Sequence, residues 1–215
     1  MNSIDRSRRR LAIAAASLAG FVDAAGFLSA NGYFVSFMSG NTTRLGVDLI
    51  VRPALAAVPA LLITGFVAGV FGGALLAARA GERRKEAVLA LVTALLMAAA
   101  ASRLIGAHLA MLGLLVLAMG ALNNTFQRDG EVSVGLTYMT GALVRFAQGL
   151  AARLTGTGGE GWANWLALWL GLALGALAGA YALLAWPGIA LWLASIWSAM
   201  LMLGARRLNP PSSHP

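Results

Sequence analysis

The polar side chains that could bind a solute are concentrated in one short stretch, SFMSGNTTRLG, at residues 36–46. Its candidate ligands are the hydroxyls of Ser39 and Thr42, the amide of Asn41 and the guanidinium of Arg44. Hydroxyl and amide groups donate and accept hydrogen bonds, and a guanidinium binds carboxylates and other anions. We therefore expect this stretch to hold a small solute or ion.

The rest of the chain is strongly apolar. Hydrophobic residues make up 59% of its 215 residues and charged residues 11%, whereas about a quarter of a soluble domain is charged. So much apolar surface cannot be buried within one chain of this size, so most of it must face lipid. There is no cysteine, which excludes a disulfide framework and a thiolate metal site.

Asp23 is an acidic residue inside one of the apolar segments. A charge there costs at least ~2.5–3.5 kcal/mol, so the carboxylate should be paired or hydrated. Two interpretations stay open. Asp23 could form a structural salt bridge with Arg44, or it could be a proton or cation site that changes protonation during transport.

Six apolar segments are predicted to be membrane-spanning helices, since a span needs roughly 20 residues. They are residues 11–30, 54–78, 87–102, 104–127, 162–186 and 187–205. Two weaker segments, 33–51 and 134–153, each carry an arginine near the middle. The first segment could alternatively be a signal peptide, but it continues past Asp23 without a clear cleavage site.

Basic clusters predict the topology, because they mark cytoplasmic ends of spans. The clusters RSRRR, RAGERRKE and ARRL occupy residues 6–10, 79–86 and 205–208. If all eight segments crossed, residues 79–86 would lie outside. If the two arginine-containing segments enter and leave by the same face, all three clusters lie inside. The charges therefore favour six spans, two re-entrant or broken polar segments, and both termini in the cytoplasm.

An internal repeat appears when the chain is compared with itself. FMSGNTTRLGVDL at residues 37–49 aligns with YMTGALVRFAQGL at residues 138–150, at an offset of 101. The identical pairs are Met38/Met139, Gly40/Gly141, Arg44/Arg145 and Leu49/Leu150. At the same offset Ser39 corresponds to Thr140, and Asp23 to Asn124. The first half-site is thus polar, and the second is mostly apolar.

Two glycine triplets repeat in the same way, at an offset of 106. They are Gly65, Gly69 and Gly73, and Gly171, Gly175 and Gly179. Such stripes let helices approach closely in lipid, so each should pack against another helix. Within one membrane domain, 1–215, the repeats are 11–103 and 104–205. Three crossings in each predict opposite insertion, which is an inverted-topology repeat with a site between the halves.

Arg145 lacks the acidic neighbour that Arg44 has in Asp48, because Gly149 occupies the equivalent place. On a helix, Arg44 and Asp48 would pair across four residues. An unpaired arginine at membrane depth suits an anion, or more simply a lipid phosphate.

Two interpretations of the sequence SGNTT, residues 39–43, stay open. Glycine with side chains that bond their own backbone predicts an interrupted helix lining a cavity between the halves. Alternatively, these residues cap a helix at the membrane surface, and Arg44 extends to the headgroups.

The stretch GFVDAAGFLSANGYFVSFMSGNTTRLGV, residues 20–47, resembles the signature region of the YoaK-like family of small bacterial multi-pass membrane proteins. The resemblance covers nearly the whole chain in length and hydropathy, and it is most specific from Asp23 to Arg44. It implies six spans in a bacterial inner membrane, and it implies no established substrate.

The leading hypothesis is a small-solute transporter or channel in which both halves contribute to a central site. The alternative is a non-transporting scaffold or partner subunit whose polar segments only pack. The predicted substrate-binding residues are Asp23, Ser39, Asn41, Thr42, Arg44, Asn124, Thr140 and Arg145. Catalytic, nucleotide-binding and metal-binding motifs are missing, so we predict neither an enzyme nor a bound cofactor or metal. The predicted partners are the lipid bilayer, an unidentified solute or ion and a second copy of the chain, without nucleic acid.

Overall fold

The computed structural model describes residues 6–128, 131–132, 139–159 and 161–208. Eight α-helices lie in these residues: α1 Arg6–Ser29, α2 Met38–Val51, α3 Ala57–Ala80, α4 Arg84–Leu104, α5 His108–Leu122, α6 Met139–Leu154, α7 Trp162–Ala185 and α8 Ala190–Leu208. Two short strands, β1 Gln127–Arg128 and β2 Glu131–Val132, pair antiparallel. The predicted all-α class is confirmed. Residues 134–138, which begin the second polar segment, and both chain ends lie outside the described residues.

Among the described residues, four stretches are long and apolar enough to cross a membrane: Arg9–Ser29, Pro53–Leu104, His108–Thr125 and Trp162–Ala185. The 52-residue stretch Pro53–Leu104 would be ~78 Å long as one helix, against a hydrocarbon core of ~30 Å. It is divided at Gly81, whose φ of +54° ends α3 and suits glycine. Helices α3 and α4 then contact each other, so the stretch folds back on itself.

The outer surface of the long helices is as apolar as their buried faces. Leu61 and Phe71 of α3 are 70% and 65% exposed, and Leu177 of α7 is 69% exposed. The buried face of the same helices consists largely of glycine and small residues. This reversal of the soluble pattern is expected for helices whose outer faces contact lipid.

The predicted packing of the glycine stripes is confirmed. A Cβ atom placed on Gly179 of α7 would lie 2.7 Å from the Phe21 Cα of α1. A Cβ on Gly69 of α3 would lie 2.9 Å from the Leu117 Cα of α5. Both distances are shorter than nonbonded carbon atoms allow, so only glycine permits these two helix pairs to approach so closely.

Contacts between helices occur in matching pairs. The packing of α1 on α7 matches that of α5 on α3, and the packing of α2 on α3 matches that of α6 on α7. The contact of α4 with α5 matches that of α8 with α1. Helices α4 and α8 pack on each other, linked by a 2.8 Å hydrogen bond between the Thr93 and Ser198 hydroxyls.

Candidate functional site

The chain between α1 and α2, residues 30–37, is the non-helical segment on which the predicted polar residues converge. It begins with a tight turn in which Asn31 and Gly32 adopt positive φ angles of 52° and 88°. Its backbone groups cannot bond to one another as in a helix, so those that are buried need partners elsewhere in the protein. Side chains from α1 and α2 supply these partners.

Asp23 of α1 binds the backbone of this segment. Its Oδ1 atom accepts hydrogen bonds from the N–H groups of Val35, at 3.0 Å, and Ser36, at 2.7 Å. Hydrogen bonds to a carboxylate are among the stronger ones in proteins. The carboxylate on the first long helix therefore fixes the end of the segment just before α2 begins.

Asn41 of α2 binds the segment from the other side. Its Oδ1 atom accepts from the Phe34 N–H at 2.9 Å, and its Nδ2 donates to the Phe34 carbonyl at 2.7 Å. The side chain is fully buried. The amide thus satisfies both polar groups of one peptide residue, as a neighbouring strand would.

Tyr33 is held by the C-terminal half of α2. Its hydroxyl donates to the carboxylate of the buried Asp48 at 2.5 Å, and Arg52 pairs with the same carboxylate at 3.0 Å. The Arg44 guanidinium lies 5.4 Å from the centroid of the Tyr33 ring, within the range of a cation–π contact. Asp48 and Arg44 therefore also serve this segment.

The predicted salt bridge between Asp23 and Arg44 is wrong: within the described part of the chain these two residues form no ion pair with each other. Asp23 instead binds backbone N–H groups, and Arg44 lies over an aromatic ring. The local pair of Arg44 with Asp48 is also wrong, because Asp48 pairs with Arg52 on the next turn.

The predicted interruption at residues 39–43 is wrong as well, because these residues form the first turns of α2. The Thr42 hydroxyl donates to the Met38 carbonyl at 2.9 Å, and the Thr43 hydroxyl donates to the Ser39 carbonyl at 3.2 Å. These bonds keep hydroxyls satisfied inside a helix. The non-helical segment lies upstream, at residues 30–37. Phe37 occupies the N-cap position of α2, and no side-chain hydrogen bond caps this helix.

A cavity of about 430 Å³ lies where α2 and α6 begin. The described residues that line it are Ser36, Phe37, Met38, Ser39, Thr42, Phe66, Met139, Thr140 and Gly141. Three of the predicted binding residues, Ser39, Thr42 and Thr140, are in this set, and the other five are not. The lining pairs Met38 with Met139 and Ser39 with Thr140, which are the residues matched by the internal repeat.

Comparison with known proteins places the chain in a family. The family described as "Protein of unknown function (DUF1275)" matches residues 11–204, which is most of the chain. The chain belongs to the DUF1275 family. The predicted resemblance to YoaK-like membrane proteins is thereby confirmed.

One relative supports the assignment of this DUF1275 protein to the membrane. It is the "UPF0700 transmembrane protein RA0705" of Rhizobium meliloti (strain 1021), 40% identical over 203 residues. The match covers 93% of this chain and 88% of the relative. No solved structure matches the chain.

Two predicted residues in the second half of the DUF1275 chain, Asn124 and Arg145, do not line the cavity. Arg145 is exposed and lies 4.5 Å from the centroid of the Trp165 ring. Asn124 is buried and donates to the carbonyls of Val70, at 3.0 Å, and Ala121, at 3.3 Å. Arg145 therefore has an aromatic neighbour, and Asn124 joins α3 to the end of α5.

The sequence repeat matched Asp23 with Asn124, but the packing of the helices matches Asp23 with the residue before it, Asn123. Gly20 of α1 contacts the Leu172 carbonyl, and Gly120 of α5 contacts the Phe66 carbonyl. Phe66 and Leu172 match at the glycine-stripe offset of 106, so the offset between α1 and α5 is 100. The counterpart of Asp23 is therefore Asn123, whose Nδ2 donates to the Met119 carbonyl at 3.0 Å.

The cavity residues missed by sequence reasoning are mainly apolar. Phe37, Met38, Phe66 and Met139 line the cavity, but an apolar residue carries little functional signal in so apolar a chain. The repeat contained a usable signal for two of them, because Met38 and Met139 are identical at the offset of 101.

Proposed function

We propose that this DUF1275 protein is a small-solute transporter or channel of the bacterial inner membrane, whose solute occupies the cavity between α2 and α6. One observation carries the proposal. The first turns of the two matched polar helices, residues 38–39 and 139–141, line a single cavity of about 430 Å³. A site shared by two sequence repeats is typical of secondary transporters.

An inverted-topology repeat with six spans is part of the proposal. The spans would be α1, α3 and α4 in the first half, and α5, α7 and α8 in the second. The first five lie in the four long apolar stretches, and α8, which does not, is assigned by its match to α4. The matching pairs of helix contacts support it. So do the lengths of α2 and α6, 14 and 16 residues, because ~21–24 Å is too short to cross ~30 Å of hydrocarbon. Helix α5 has 15 residues, but the 3-10 turn Asn123–Thr125 extends it to an 18-residue apolar stretch.

The proposed orientation places both termini and residues 79–86 in the cytoplasm. Helix α4 has 21 residues, or ~31 Å, so its two ends lie on opposite faces of a bilayer. Its first end carries Arg84 and Lys85, and its other end carries Arg103. The cluster with more basic residues is assigned to the cytoplasm. Lipid and solute are the proposed partners, and no enzymatic step is proposed.

The proposed role of Asp23 and Asn41 is to position the cavity wall. Both bind residues 34–36, and Ser36 at the end of that segment lines the cavity. A scaffold would also have these polar groups paired, so their pairing alone supports either function. The cavity is the feature that favours transport, because a scaffold has no need of a void.

Solute flux into proteoliposomes tests the proposal, with a panel of polyols, amino acids, monocarboxylates and alkali cations. Gly141→Leu should reduce flux at least about tenfold, because Gly141 lines the cavity and a larger side chain there would take up space at its wall, while a Cβ meets no atom within 4 Å. A tenfold loss corresponds to about 1.4 kcal/mol.

Gly46→Leu is the matched control. Gly46 lies on α2, and a Cβ there also meets no atoms within 4 Å, but Gly46 does not line the cavity. This variant should keep its flux. Wild-type flux no greater than that of empty liposomes, or equal flux in both variants, would contradict transport through the cavity and favour the scaffold.

A further inference from the structure

We infer that the cavity between α2 and α6 takes a small solute without net or ionised charge, which has hydrogen-bonding groups beside an apolar part. This inference rests on the proposed function, because it takes this cavity as the solute site. A volume of about 430 Å³ is near the lower end of the ~300–1,000 Å³ range of ligand sites, which favours a small molecule.

The polar groups of the cavity are hydroxyls. Ser36, Ser39 and Thr140 contribute one each. The Ser36 hydroxyl donates to the Asp23 carboxylate, so it offers a solute only its lone pairs, whereas a hydroxyl such as that of Ser39 or Thr140 can both donate and accept. The Thr42 hydroxyl already donates to the Met38 carbonyl, so it can offer the solute only its lone pairs. Such a set can bind a neutral hydroxyl, amide or carbonyl group from either side.

The remaining wall is apolar and polarizable. Phe37 and Phe66 contribute aromatic rings, and Met38 and Met139 contribute thioethers from the two halves. Burial of apolar surface is worth about 25 cal/mol per Å², and methionine adapts to irregular shapes. This wall favours a solute with an apolar part and penalises one that is polar throughout.

No ionisable side chain is among the described residues that line the cavity. The nearby charges are engaged elsewhere, Asp23 by the Val35 and Ser36 N–H groups and Arg44 by the Tyr33 ring. Residues 133–138, which precede Met139 in sequence, contain no Asp, Glu, Lys or Arg. An ion entering this cavity would lose hydration without gaining a counter-charge, which is costly.

The start of α2 does not reverse this balance. A helix N-terminus carries a partial positive charge that favours anions. The Asp23 carboxylate binds the N–H groups of Val35 and Ser36, just before that terminus, and so offsets the charge. Anion binding at this cavity is the main alternative, and the experiment below distinguishes it.

Thiol reagents of different charge test the inference directly, because the chain has no cysteine of its own. Ser39→Cys and Thr140→Cys each place one thiol in the cavity wall, one from each half. The protein is reconstituted in nanodiscs, so that both faces are accessible. Labelling rates are measured with hydroxyethyl (neutral), sulfonatoethyl (anionic) and trimethylammonioethyl (cationic) methanethiosulfonates.

Gly188→Cys is the control, in an exposed turn between α7 and α8 where a Cβ meets no atoms within 4 Å. At each position the charged-reagent rate is divided by the neutral-reagent rate, which cancels the fraction of thiolate. We expect this quotient at both cavity thiols to be at least about tenfold below that at Gly188→Cys, for both charged reagents.

A smaller reduction for the anionic or the cationic reagent would overturn the inference and assign the cavity to ions of that sign. Failure of the neutral reagent to label either cavity thiol, while it labels Gly188→Cys, would also overturn it. If charged reagents enter and Gly141→Leu still blocks flux, only the inference on charge fails. If wild-type protein gives no flux, the proposed function itself fails, whatever the labelling.

Discussion

Helices α2 and α6 begin at the same cavity, yet the two halves hold them by different chemistry. Around α2, Asp23, Asn41 and Asp48 bind the preceding segment through five hydrogen bonds. In the second half, Ala142 and Gly149 stand at the positions of Asn41 and Asp48, so these two polar side chains have no counterpart. The described contacts of α6 include Arg145 over the Trp165 ring, and Phe146 against Trp162 at 5.8 Å. The difference teaches that a sequence repeat can keep helix placement while the side chains that secure it change.

The long helices differ from this, because both halves pack them in the same way, through a stripe of glycines. Glycine stripes on α3 and α7 pack on α5 and α1 with contacts at matching positions. Backbone contact tolerates no larger side chain, whereas the polar contacts around α2 can be replaced by others of similar geometry. The two halves therefore share the close backbone packing of their long helices. They differ in the side-chain contacts of their short helices, α2 and α6.

The largest expected loss of stability comes from substitutions in the glycine stripes that the two halves share. Gly69→Leu and Gly175→Leu should each destabilise the protein by about 3 kcal/mol, because the new side chain meets the backbone of the facing helix. Thermal unfolding in detergent measures the loss, and Gly113→Leu, in open space on α5, is the control. A large effect in only one half would show that the two interfaces are not equivalent.

A smaller effect is expected where the halves differ. Asn41→Leu should cost about 2 kcal/mol, because it leaves the Phe34 N–H and carbonyl without their partner. Thr43→Val is the control, since that exposed hydroxyl bonds only within its own helix, and should be nearly neutral. Equal stability of the two variants would show that the Asn41 hydrogen bonds do not stabilise the segment before α2. The lack of a matching asparagine in α6 would then be of no consequence for stability.

The smallest effect is expected between the two charges themselves. A double-mutant cycle with Asp23→Asn and Arg44→Gln should give a coupling energy below about 0.5 kcal/mol, because the two groups bind different parts of the segment. Chemical denaturation of the four proteins measures it. A coupling of about 2 kcal/mol or more would restore the direct ion pair and remove the role assigned to Asp23.

The close helix pairs could be predicted from sequence because their signal is a backbone pattern. A stripe of glycines specifies close approach whatever the partner is. The identity of the partner could not be predicted, because the facing surfaces on α1 and α5 are lined by ordinary small and aliphatic residues such as Ser17 and Leu117.

The polar segment was predicted in part. Sequence identified Asp23, Asn41 and Arg44 as residues with a common task, because each is costly in lipid alone. The sequence predicted a salt bridge between Asp23 and Arg44, because two opposite charges can be recognised in a sequence. A hydrogen bond from a backbone N–H group to Asp23 cannot be recognised in this way, since every residue except proline has such a group. The turn at Asn31 and Gly32 was the available signal for the true position of the break.

The equivalence of Asp23 and Asn124 shows a further limit. An offset of 101 residues fits the polar segments, and the packed helices require 100 between α1 and α5. One residue of difference can be absorbed in the non-helical connection between a long and a short helix. The sequence comparison applied a single offset to both sides of this connection, whereas the structure has an offset of 100 before it and 101 after it.

The packing of α1 on α7 has a consequence for biosynthesis. The Ser17 hydroxyl donates to the Gly171 carbonyl at 2.8 Å, and these residues are 154 positions apart. At about 5–20 residues per second, roughly 8–30 s pass between the synthesis of the two helices. During that interval the first helix has left the ribosome without its main partner, so its small-residue face must be shielded by lipid or by the insertion machinery until the seventh helix arrives.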